Sequence, residues 1–285
     1  MNAPADLPFM RAAAALNAYG RNVAQAVRWV DPSWCAALLG ADAAQLAHWR
    51  AAVSRAGESV LEACSQALVR AAGVQPPALD VLMQPALRPA AGAFQNVAQN
   101  VSARPNAALL DVLPAATGLQ VLRMRALSFR RAEVRRLIDK RTRSQLSEWT
   151  GVGVDQLTQD AHSADAPDIA LLAARAAMPP LTALDANVLA VEGCALLLRD
   201  LGAAQEAFAA PVAQAANTAV NTAVNTAVNT AATRLPFPLL RLALPRVLPT
   251  PVWLAAVPDT TDALGTARLF ARLSELLPES AWLFG

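Results

Sequence analysis

The chain has 285 residues, 55% of them hydrophobic but only 5% aromatic, and a formal net charge of +2. That length is enough for one large domain or two modest ones, each able to bury a core. The near-neutral balance excludes a global field that would draw the chain to nucleic acid or to an anionic membrane.

Much of the apolar share is alanine, the best helix former, because it loses no side-chain entropy in a helix. Val, Ile, Thr and Tyr rarely alternate with polar residues, so strands are not expected. The fold class predicted is all-α, or mainly α: an irregular helical bundle with Pro-rich extended segments and a low-complexity linker. Lys140 is the sole lysine beside many arginines. Cys35, Cys64 and Cys194 stand far apart with no CxxC or Cys/His cluster, which suits small buried thiols in a reducing compartment. Asp6 and Arg11 flank a start without the charged head and apolar core of a signal peptide. No run is apolar enough to span a bilayer, so a soluble, cytoplasmic chain is expected.

A first helix is predicted from about Pro8 to Val30, with Leu16, Tyr19, Val23, Val27 and Val30 on one stripe. Asp31-Pro32 ends it and opens a second helix carrying Trp34, which stops near Gly40. Asp42 caps a third helix, with Leu46, Trp49 and Val53 on one face, and a fourth covers about Glu58 to Ala72. Val60, Leu61, Cys64 and Leu68 are its inward set. Short connections imply antiparallel packing. From Gly73 to Pro114 repeated prolines predict extended, loop-rich structure with short helical pieces.

Helix returns over about Leu119–Trp149, closing at Gly151, and again over about Leu181–Leu201. Asn217-Thr-Ala-Val then repeats three times before Asn229-Thr-Ala-Ala, a tract that reads as a linker. Prolines at 236, 238, 245, 249, 251 and 258 predict an extended segment. A helix over about Asp262–Leu277, with Leu264, Phe270, Leu273 and Leu277 inward, precedes the tail Trp282-Leu283-Phe284. The domain organisation predicted is a helical domain over 1–201, a linker or insertion over 202–234, and a C-terminal segment over 235–285 packed on the first.

Catalytic chemistry needs converging polar groups, and the chain offers few. His48 suits a surface position. His162 lies in an acidic loop with Asp160, Asp165 and Asp168, whose spacing matches no metal site. There is no P-loop, GxSxG or HExxH. No cofactor and no enzymatic activity are expected. An enzyme would need a pocket gathering His162 with Asp160, Asp165 or Glu192.

The segment Arg123–Trp149 stands out. Met124, Leu127, Val134, Leu137 and Ile138 form an inward face, and Arg130, Arg135, Arg136, Lys140 and Arg143 cover the rest, with Arg131 and Arg141 near the seam. Three readings suit this pattern: a solvated basic face on a core helix, a docking surface for an acidic protein, and a grip on nucleic acid. The last lacks a helix-turn-helix pairing or an aromatic stacking platform.

The block Phe129–Asp139, with Val134-Arg135-Arg136-Leu137-Ile138 at its core, followed by Leu146 and Trp149-Thr-Gly151, resembles the central segment of the type III secretion K subunit, the SctK group that includes YscK-, PscK- and OrgA-like proteins. The opening from Leu16 to Trp49 and the Trp-Leu-Phe ending are similar to one branch of that group. The tract around 217–232 departs from its shorter members. The resemblance implies a cytoplasmic adaptor at the inner-membrane face, without a reaction of its own. It would join the cytoplasmic domain of the ring subunit SctD to SctQ, and through SctL to the ATPase SctN, with no nucleic acid and no membrane insertion. The candidate binding residues are then Arg130, Arg131, Arg135, Arg136, Lys140, Arg143, Trp282 and Phe284, with packing of the two tail aromatics back on the core as the alternative for Trp282 and Phe284.

Overall fold

The computed structural model describes residues 8–88, 104–159, 167–202 and 235–285. The tract at 203–234 and the loop at 160–166, with His162, lie outside them. The described chain is mainly α, as its composition predicts, with a single two-stranded antiparallel pair. It divides into two compact units, each gathered from segments distant in sequence. The first takes Met1–Met83, Ala107–Ala115 and Gln205–Leu248, and the second takes Gln84–Asn106, Ala116–Ala204 and Pro249–Gly285.

The first unit opens with α1 (Pro8–Ala24), α2 (Ala26–Trp29), α3 (Pro32–Leu39), α4 (Ala43–Ser54), α5 (Glu58–Ala71) and α6 (Leu79–Met83). The long first helix expected to Val30 is broken at Gln25, whose φ of −110° and ψ of 6° leave the helical region. The next two boundaries follow the sequence. The Asp31 carboxylate accepts from Ser33 N with Pro32 at the first helical position, and Asp42 and Gln45 form a reciprocal capping box. α5 packs on α1 and α2. Tyr19, Val30, Trp34, Cys35, Leu46, Leu68 and Val69 form the core, joined by Leu239 and Leu242. Leu16 and Val60, expected inward, are exposed.

Segment 235–248, expected to be extended, carries one 3-10 turn at Leu240–Ala243 and is strapped to this bundle. Asp31 N donates to Leu242 O, and Trp34 Nε1 donates to Leu244 O at 3.0 Å. The Trp34 ring is fully buried, with the Arg241 and Arg246 guanidinium carbons 5.3 and 5.9 Å from its centroid. Burying a large apolar side chain is worth about 1.5–3 kcal/mol or more, against about 1 kcal/mol net for one hydrogen bond. The ring therefore anchors the strap more than its N–H does. Asn22 Nδ2 donates to the carbonyls of Asp111, Val112 and Leu113, which fixes the 3-10 turn at Ala107–Asp111. The Asp111 carboxylate in turn accepts from Leu239 N and Leu240 N at 3.1 and 2.7 Å.

In the second unit β1 (Leu87–Arg88) pairs antiparallel with β2 (Arg104–Pro105), Leu87 opposite Pro105. The helices follow as α7 (Ala115–Phe129), α8 (Arg131–Arg136), α9 (Lys140–Thr150), α10 (Val154–Thr158), α11 (Ile169–Ala176), α12 (Ala186–Asp200), α13 (Gly265–Leu276) and α14 (Ala281–Phe284). α12 is buried without interruption from Leu189 to Leu198, so it is the central helix of the unit rather than an amphipathic surface helix. Gly151 closes α9 in the left-handed conformation, φ 72°, that spares glycine the Cβ clash.

The single helix expected over Leu119–Trp149 is instead three. It breaks at Arg130, with φ −84° and ψ 16°, and again at Leu137–Asp139. Each break has a side-chain cause. Arg130 turns inward to a buried carboxylate, and Asp139 is an N-cap whose side chain accepts from Arg141 N and Thr142 N.

Candidate interaction surface

The second break decides what the arginine segment presents. α8 ends with Leu137 in an extended conformation, ψ 114°, and α9 starts at Lys140, so Ile138 stands on the outer corner between them. It was expected in the core with Met124, Leu127 and Val134. Those three are buried, whereas Ile138 is 93% exposed. A helix of 3.6 residues per turn would have carried Ile138 inward beside Val134, but the Asp139 cap turns the chain first.

Several groups hold this corner in place. Asp139 accepts from Thr142 Oγ1 at 2.6 Å as well as from two backbone amides, and these bonds hold its carboxyl below the usual range. Arg143 donates to Leu137 O at 3.3 Å and pairs with Asp155 on α10. Arg135 donates to Thr158 O, the last residue of α10. Arg136, Lys140 and Arg141 are exposed around Ile138. The result is an exposed apolar tip with exposed cations close by in sequence, braced at both flanks.

Arg130, expected on the outer face, and Arg131, expected near its seam, both turn inward. Arg130 is fully buried. Its Nε and Nη2 donate to the two Glu192 oxygens at 3.0 and 2.8 Å, and its Nη1 to Pro179 O and Glu133. Trp253 Nε1 donates to the same Glu192 at 3.2 Å, and the Trp253 ring lies 5.5 Å from that of Phe129. Arg131 Nη1 reaches Asp262 at 3.0 Å. Asp262 is the hub of a second buried cluster. It also accepts from Arg125 and Arg268, each at 2.8 Å, and it holds a left-handed φ of 54° that its three guanidinium partners over-determine. Arg125 bonds Asp200 as well. A buried arginine requires such partners, because an unpaired interior charge costs several kcal/mol.

The expected set is therefore divided. Arg130 and Arg131 tie the core of the unit, Arg135 and Arg143 brace the corner, and Arg136 and Lys140 remain as outward charge. Of the tail residues on α14, Phe284 packs edge-on to Phe270 at 6.1 Å, and Trp282 stays 42% exposed. His48 is exposed as expected; Cys35 and Cys194 are buried and Cys64 half-buried. Glu192, a candidate for a catalytic pocket, is consumed by Arg130 and Trp253. Asp168 caps α11 by accepting from Leu171 N. Among the described residues no group of His, Cys, Asp and Glu could hold a metal ion, and no helix is long and apolar enough to cross a membrane.

The exposed Ile138 was missed in the sequence, although its signal was present. An Asp directly ahead of a fresh helical run marks a helix start inside what reads as one helix.

Compared with known proteins, residues 7–236 match the family model described as bacterial type III secretion protein (HrpB4). The α8–α9 corner lies inside that match, and α13 and α14 lie beyond it. No curated protein and no solved structure matches the chain.

Proposed function

We propose that this chain, which belongs to the bacterial type III secretion protein HrpB4 family, is the K subunit of the secretion machine's cytoplasmic sorting platform. In this reading it is an adaptor without a reaction of its own. It stands at the cytoplasmic face of the inner membrane and joins the cytoplasmic domain of SctD to SctQ, and through SctQ to SctL and SctN. The family match over 7–236 carries the proposal. The similarity of Phe129–Gly151 to the SctK group adds the particular role.

The structure supplies a means compatible with an adaptor. A small, rigid, basic corner with an apolar tip is the kind of feature that protein interfaces use, because little side-chain freedom remains to be lost on binding. Buried ion clusters around Glu192 and Asp262 tie together the unit behind it.

Co-expression of the chain with SctQ and with the SctD cytoplasmic domain from the same genome tests the proposal. Stable co-purification of both, singly and as a ternary complex, is expected. Failure of the folded chain to retain either would contradict it.

A further inference from the structure

We infer that the α8–α9 corner is a docking plug: Ile138 enters an apolar socket on a folded protein domain whose rim carries carboxylates facing Arg136, Lys140 and Arg141. The inference rests on the adaptor reading and specifies the chemistry of one of its interfaces.

Three observations carry it. Ile138 is more exposed than any other large apolar side chain among the described residues, at 93%. An isoleucine held in water gains the most by burial, and single apolar anchors in fitted pockets dominate many interfaces. The tip is also held for presentation rather than left on a loose turn. Asp139 caps the next helix, Arg143 bonds the Leu137 carbonyl, and Arg135 bonds the Thr158 carbonyl. Such bracing lowers the entropy lost on docking. Finally, the exposed cations Arg136, Lys140 and Arg141 lie within three residues of Ile138 against one carboxylate, Asp139, which accepts from Arg141 N, Thr142 N and Thr142 Oγ1.

This composition selects the occupant. A second copy of the chain would set the same cations against each other. A nucleic-acid backbone would take the arginines, but an apolar wedge between base steps needs a strongly basic surface along the groove, and a net charge of +2 supplies no such field. An acidic protein surface with an apolar socket satisfies both the tip and the cations beside it in sequence.

The test measures binding of the intact chain to purified SctD cytoplasmic domain and to purified SctQ, at about 0.05 and about 0.5 M salt. The wild type is compared with Ile138→Asp, Ile138→Ser, the pair Arg136→Glu with Lys140→Glu, and Val252→Asp. Val252 is 85% exposed elsewhere, so its variant controls for a new surface charge. Ile138 contributes little to the core, so far-UV circular dichroism should be unchanged in every variant. For one of the two partners, Ile138→Asp and the double charge reversal should each weaken binding at least about tenfold, Ile138→Ser less, and Val252→Asp not at all. The higher salt should weaken the wild type by about tenfold. Wild-type affinity in Ile138→Asp for every partner bound overturns the plug and leaves the adaptor reading standing. Loss in the charge reversal alone, with Ile138→Asp unaffected, reduces the corner to plain electrostatics and likewise overturns it. A wild type that binds neither partner overturns both.

Discussion

Gly193 on α12 lies against Leu122 on α7 so closely that a Cβ there would stand 1.7 Å from the Leu122 carbonyl oxygen. Two buried helices meet backbone to backbone at this point. The neighbouring Glu192 is thereby brought to the place where Arg130, at the end of α7, can bond both of its oxygens.

Gly193→Ala forces the two helices apart, because the obstruction is backbone and cannot rotate away. Overpacking of this kind costs about 1–3 kcal/mol, and here the clash is with a main-chain atom. A lowered urea midpoint is the expected result, larger for Gly193→Val. An unchanged midpoint would mean that the helices are not in backbone contact.

Arg130→Met leaves Glu192 buried with the Trp253 indole as its only remaining side-chain donor of the pair. Breaking a buried ion pair from one side costs about 3–5 kcal/mol, and replacing both partners costs much less. The double variant Arg130→Met with Glu192→Leu should therefore recover much of the loss. Arg136→Glu, on the surface, should stay within about 0.5 kcal/mol of the wild type. Denaturant titration of the four proteins checks this. Equal costs at Arg130 and Arg136 would return Arg130 to the surface.

Asp111 predicts a pH dependence in the first unit. Burial pushes its carboxyl up to about 7, against the two backbone amides that favour the anion. Between about pH 4 and 7 the folded chain then holds a proton that the unfolded chain has released. Stability from this group is greatest below about 4, falls by at most about 1.4 kcal/mol per pH unit across that window, and is level above about 7. Asp111→Asn removes the titration. The stability of the wild type minus that of Asp111→Asn should fall as pH rises from 4 to 7. A difference that rises or stays level would contradict it.

Much of the helical plan can be read from local chemistry. Asp31-Pro32, Asp42 with Gln45, and Gly151 each set a boundary through groups within a few residues, so the sequence shows them. What lies beyond local reach does not show. Arg125, Arg130 and Arg131 look like surface charges on a helix until carboxylates 62 to 137 residues away come to meet them. Ile138 fits an inward stripe until the Asp139 cap ends the period. The assembly of each unit from distant segments depends on long-range packing that periodicity does not encode. The candidate surface was thus legible as a region, while its apolar centre was not.

The proposed connection of SctD to SctQ has a direct readout in the recruitment of SctQ in cells. Fluorescently tagged SctQ would be imaged in bacteria lacking the chain and in the same cells supplied with the wild type. Membrane-associated SctQ foci are expected with the wild type and diffuse SctQ without it, while SctD rings remain. SctQ foci that persist undiminished in cells lacking the chain would contradict it.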